Sequence, residues 1–134
     1  MNFSLHPDLV RDCIKISETP LCEVLLRNDA RFPWLILVPR VAGASEWFDL
    51  SAEQQKQLHD EVMLISVQLK KNLNADKMNI AALGNITPQL HVHIIARFKG
   101  DAAWPNPVWG QGRAVGYSTD ALEKMRKMMN ITNL

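Results

Sequence analysis

Long apolar runs are missing from this chain. The longest clean one is Trp34 to Val38, far below the roughly 20 residues that a membrane-spanning helix needs. Cysteine is scarce. Cys13 and Cys22 are the only two, too few for a disulfide framework and without metal-type spacing, so they read as reduced, partly buried thiols. The opening residues Met1 to Asp8 lack the basic and long apolar regions of a secretory leader, and the expected location is cytoplasmic. An excess of one charge is also lacking: 15 basic and 14 acidic residues leave a net charge of +1. A grip on long nucleic acid usually needs a clustered basic excess, whereas a small anion needs only a local site. There is no repeat, no low-complexity tract and no Gly/Ser linker. Glutamate is absent from Val62 to Leu122.

What is present fits one globular domain. The chain has 134 residues, 47% of them apolar and 22% charged, enough to bury a core without staples. Residues 1–134 read as a single domain with 101–134 as a C-terminal extension. Residues 6–16 read as a short helix with Leu9, Val10 and Cys13 on one stripe. Leu21–Arg27 and Trp34–Val38 read as two strands of a hairpin, joined by a turn at Asn28-Asp29-Ala30-Arg31. Residues 51–73 carry the strongest helical pattern. Ser51 and Gln54 have capping-box spacing, and Leu58, Val62, Ile65, Leu69 and Leu73 mark one face. Lys70 and Lys71 fall in its last turn, where positive charge suits the helix dipole. Strands are expected over 79–83 and 90–98, a loop over 101–117, and a final helix over 118–130. Short turns between strands argue for an α+β fold with an antiparallel sheet.

The chemistry concentrates in Gln89-Leu90-His91-Val92-His93-Ile94-Ile95. Strand periodicity places Gln89, His91 and His93 on one face and the aliphatic residues on the other. A solvated strand face needs only generic polar residues, so two imidazoles and an amide in register favour a site. Two kinds are open. A His-x-His pair can place two nitrogens on one metal ion, but it needs further ligands, and no glutamate follows it. Alternatively, a neutral imidazole is a nucleophile near pH 7, and a second one nearby can donate to a phosphate oxygen.

With the order of elements around it, this segment resembles the histidine-triad (HIT) family, whose motif is His-φ-His-φ-His-φ-φ with φ apolar. The resemblance covers roughly residues 20–110. It implies a five-stranded antiparallel sheet with two main helices, here with an added C-terminal helix. It also implies a homodimer, and hydrolase or transferase activity at the α-phosphate of nucleoside phosphates, such as dinucleoside polyphosphates and phosphoramidates. On this resemblance His91 is the nucleophile that carries a nucleotidyl intermediate, and His93 contacts the phosphate. Gln89 stands at the first motif position, where it can hydrogen-bond but not titrate. Pro33-Trp34 stands where many members carry Gly-His or Thr-His.

Asn28, Asp29, Asn85 and Trp104 are the candidate nucleotide contacts, with Trp109 in support of Trp104. His6 and His59 read as surface residues. No resident cofactor or metal site is implied, and a divalent ion would enter only with the nucleotide. The expected partners are a small nucleotide and a second copy of the chain, with neither long nucleic acid nor membrane. A nucleotide-binding module with little turnover and a His-x-His metalloprotein are the rival readings.

Overall fold

The computed structural model describes residues 2–131. Three helices and five strands follow in the order α1 (Pro7–Asp12), β1 (Cys13–Glu18), β2 (Cys22–Arg27), β3 (Trp34–Pro39), α2 (Ala52–Leu73), β4 (Lys77–Ala81), β5 (Val92–Arg97) and α3 (Thr119–Met129). The strands form one sheet, ordered β1-β2-β3-β5-β4, with every neighbouring pair antiparallel. The α+β fold expected from the sequence is the fold observed. Among the described residues, no helix is long and apolar enough to cross a membrane.

The long helix starts where its cap predicts. Ser51 Oγ accepts from Gln54 N, and Gln54 Oε1 accepts from Ser51 N. Its apolar stripe, Leu58, Val62, Ile65 and Leu69, is buried against Val24, Leu26, Leu35, Leu37, Val92 and Ile94 on one face of the sheet. Met129 of α3 joins the same cluster. Burying such aliphatic side chains stabilises the fold by about 1.5–3 kcal/mol each.

The amino-terminal reading needs correction. Residues 6–16 do not form one helix. Pro7 opens α1 and the helix ends at Asp12, after which Cys13–Glu18 pairs with β2 from Cys13↔Arg27 to Glu18↔Glu23. The β-branched Ile14 and Ile16 suit a strand, and the backbone of β2 supplies hydrogen bonds that a local helix cannot match. Val10, expected on the apolar stripe, is exposed, while Leu9 is buried. β4 lies two residues earlier than expected, and β5 is shorter at both ends.

Both faces of the sheet are covered. Opposite α2, a second cluster gathers Leu25, Phe32, Trp34, Ile36, Val38 and Ile95 with Leu9, Ala103 and Val108. β5 lies between β3 and β4, with His93 paired to Ile36 on one side and Ala81 on the other. His93 therefore shares a face with Trp34 and Ile36, and that face is roofed by α1 and the segment after β5.

Candidate active site

A cleft of about 350 Å3 opens on this second face. Its lining includes Leu9, Cys13, Trp34 and Ile36 on an apolar side, and Asn85, Thr87, His91 and His93 on a polar side. His91 and His93 are 7% and 6% exposed, so each presents little more than an edge. Their rings lie 4.9 Å apart in an edge-to-face arrangement.

The hydrogen bonds give the two imidazoles opposite tautomers. His91 Nδ1 lies 2.6 Å from the Gln89 carbonyl. A carbonyl only accepts, so Nδ1 carries the proton, and the neutral ring keeps its lone pair on Nε2. His93 Nδ1 instead accepts from Trp34 Nε1–H at 2.9 Å. Its lone pair is on Nδ1, and Nε2 carries the hydrogen. The cleft thus holds one imidazole fit to attack beside one fit to donate.

His93 also stays neutral. Its pKa is pushed down from 6.5 to about 3, chiefly by burial, then by the His91 and Arg27 side chains. Trp34 and Trp109 bracket it, with ring centres 5.7 and 5.0 Å away. Arg27 adds a cation at the wall, 5.6 Å from the Trp34 ring and paired with Asp12 at 3.1 Å.

Trp109 reaches His93 because the preceding loop is pinned. Arg97, only 1% exposed, donates from Nε and Nη2 to Asp101, from Nη1 to Asn79 Oδ1 and from Nη2 to the Asn106 carbonyl. Phe32 and Trp104 each lie within 6 Å of its guanidinium. Burial opposes the charge on Asp101, but Arg97 and the N–H groups of Ala103, Phe98 and Trp104 hold its carboxyl well below the usual carboxylate range.

Three of the candidate nucleotide contacts lie elsewhere. Asn28 Oδ1 accepts from Tyr117 N at 2.9 Å. Asp29 is buried, paired with Arg31 at 2.8 Å, and accepts from Val115 N at 3.3 Å. Both residues hold the segment before α3, and neither lines the cleft. Trp104 faces Arg97, and Trp109 lines the cleft. Asn85 does line the cleft. His59 is exposed as expected, and His6 is half-buried.

Gln89 also departs from the expected row. It lies before the β5 ladder, which begins at Val92, and its amide turns toward the amino-terminal segment. Sequence reasoning missed Arg27 and the α1 residues as parts of the site. Trp34, which the sequence already places where family members carry a histidine, joins the His93 face through the β3–β5 pairing. Among the described residues, no group of three or more His, Cys, Asp or Glu side chains is arranged to hold a metal ion.

Comparison with known proteins bears on the family and the fold. The model of the HIT domain matches residues 9–100. A histidine triad protein from Bradyrhizobium japonicum is 47% identical, with 97% of each chain covered and a TM-score of 0.94. Histidine triad proteins from Sinorhizobium meliloti 1021 and Marinobacter aquaeolei VT8 are each 45% identical. The first covers 96% of this chain and 95% of its own at a TM-score of 0.92, the second 96% and 94% at 0.94. No curated protein matches the chain. With the motif strand, the sheet order and the model match in agreement, this chain belongs to the HIT domain family.

Proposed function

We propose that this protein binds a nucleotide and acts as a hydrolase or nucleotidyl transferase at its α-phosphate, with His91 as the nucleophile. One observation carries the reading: His91 offers a lone pair at Nε2 while His93, 4.9 Å away, offers an N–H. His91 Nε2 attacks the α-phosphorus. The bond to the leaving group breaks, and its electron pair departs with that group. The resulting nucleotidyl-imidazolium keeps its Nδ1–H on the Gln89 carbonyl, whose dipole favours the positive ring. Water then attacks phosphorus, releasing the nucleoside monophosphate and a proton and restoring His91. His93 Nε2–H binds a non-bridging oxygen throughout, and as a fixed donor in a dry site it favours the more highly charged transition state.

Leu9, Cys13, Trp34 and Ile36 offer the apolar surface that a nucleobase needs. The unpaired thiols Cys13 and Cys22 suit a cytoplasmic enzyme. The test uses an adenosine phosphoramidate as substrate. Release of AMP and a trapped adenylyl group on His91 are expected. His91→Ala should lose turnover while its affinity for AMP stays within about tenfold. Tight AMP binding by the unmodified protein without any turnover favours a binding module instead.

A further inference from the structure

We infer that the Gln89 side chain is a positioning group: it clips the amino-terminal segment across the cleft, so that α1 forms the nucleoside-side wall. Both ends of the amide are engaged. Oε1 accepts from the backbone N–H of His6 at 2.8 Å, and Nε2 donates to the Ser4 carbonyl at 2.9 Å. A primary amide can make this pair of bonds, because it holds a donor and an acceptor side by side. Two residues before it, Thr87 Oγ1 donates to Asp8 Oδ2 at 2.8 Å. The loop leading into the histidines thus holds the segment at three points.

The clip reaches the cleft through a short, continuous path. His6 Nδ1 caps α1 by accepting from Asp8 N at 3.0 Å. Phe3 and Leu5 pack against the cluster that contains Leu9, Trp34 and Ile36. From α1, Asp8, Leu9, Arg11 and Asp12 line the cleft, and Asp12 also pairs with Arg27 at its wall. A six-residue helix is too short to stand alone in water, so its place depends on these attachments. The residue at the first motif position therefore spends its side chain on the wall and its backbone carbonyl on His91. These two duties are separable by mutation, since Gln89→Ala removes only the first.

This inference rests on the nucleotide reading of the site. Its test reads the clip and the ligand separately, using AMP as the probe on the full chain. The clip is read as hydrogen exchange at the His6 amide, without ligand. In Gln89→Ala that exchange should accelerate about tenfold or more, and the Kd for AMP should rise about tenfold, the loss of roughly one net hydrogen bond. The rate of adenylyl transfer to His91 at saturation should fall much less.

A second route removes the same bond from the other side. His6→Pro deletes the N–H donor at a residue whose φ of −57° already suits proline, and His6→Ala controls for the lost cap. His6→Pro should weaken AMP beyond His6→Ala and add little in the Gln89→Ala background, because both changes open one clip. Unchanged exchange in Gln89→Ala, or faster exchange with unchanged AMP affinity, overturns the inference. A loss in kcat with Kd unmoved overturns it too, in favour of a catalytic Gln89. If the unmodified protein binds no AMP, the reading of the site fails and the wall role falls with it, while His6 exchange still shows whether the clip exists.

Discussion

Trp34 donates its indole N–H to Nδ1 of His93 at 2.9 Å, and this contact decides which nitrogen of His93 faces the cleft with a hydrogen. An indole N–H donates only and does not titrate in water. Trp34→Phe keeps an aromatic ring beside Phe32 and Trp109 but deletes the donor. His93 then populates both tautomers, and one of them offers phosphate a lone pair instead of an N–H. Turnover should fall about tenfold or more, with a smaller loss of AMP affinity. Nitrogen NMR of the imidazole checks the cause directly. A single Nε2–H form in both proteins would leave Trp34 with packing as its only role.

Arg97 should matter to the site without touching it. Its side chain and that of Asp101 are 2% and 6% exposed, so removing the cation strands a buried carboxylate. Arg97→Met should cost about 3 kcal/mol or more, read as a fall in the urea midpoint, and Asp101→Asn on top should recover part of it. Arg97→Lys should not rescue, because one ammonium cannot serve Asp101, Asn79 and Asn106 in one plane between two aromatic rings.

The parts of this fold that were legible in the sequence are those fixed by local patterns. The Ser51–Gln54 box and the Leu58–Leu69 stripe mark α2 because cap and periodicity lie within one segment. The aliphatic run Trp34–Val38 marks β3 for the same reason. Residues 13–16 read as helix in the sequence because the strand they open exists through pairing with β2, a partner that no local pattern names. Gln89 leaves the expected row because its amide bonds Ser4 and His6, more than 80 residues away in the chain, which no local pattern names. Asn28 and Asp29 are good turn formers, but the segment that bonds them, Val115 to Tyr117, lies more than 80 residues away. Trp104 lies against the buried Arg97 guanidinium and Trp109 against His93, placements that no local pattern distinguishes.

The homodimer that the family resemblance implies would use an exposed apolar surface beside an edge strand. Met63, Leu64 and Val67 on α2 are exposed, as are Ile80 and Leu83 at the β4 end of the sheet. β4 is an edge strand, and an exposed edge readily pairs with another strand. Light scattering at micromolar concentration should give twice 15.2 kDa. Val67→Glu, which places a carboxylate on the 66% exposed position of that patch, should shift the protein toward monomer. A monomeric mass for the unmodified protein would overturn the expected dimer.

The depressed pKa of His93 carries a stability signature with a definite sign. In the unfolded chain this imidazole takes up a proton near pH 6.5, whereas in the folded protein it does so only near pH 3. Above pH 6.5 it is neutral in both states and contributes no pH dependence. Between those values the unfolded state binds the additional proton, so stability falls as the pH drops. Below about pH 3 both states are protonated and the loss is complete. Each pH unit within the window costs at most about 1.4 kcal/mol, or up to about 2 kcal/mol between pH 6.5 and 5. Protonation in the fold would also turn Nδ1 into a donor facing the Trp34 donor, so the indole bond opposes the charged form in the same direction as burial. Other groups titrate over this range, and the comparison must therefore be between two proteins. His93→Gln is neutral at every pH and can still accept from Trp34. Urea denaturation across pH 4.5–8 should show a steeper acid loss in the unmodified protein than in His93→Gln, with the curves parallel above pH 7. Parallel curves through the whole range would mean that His93 is not held neutral by the cleft, and that its Nδ1 does not stay an acceptor for the Trp34 indole at acid pH.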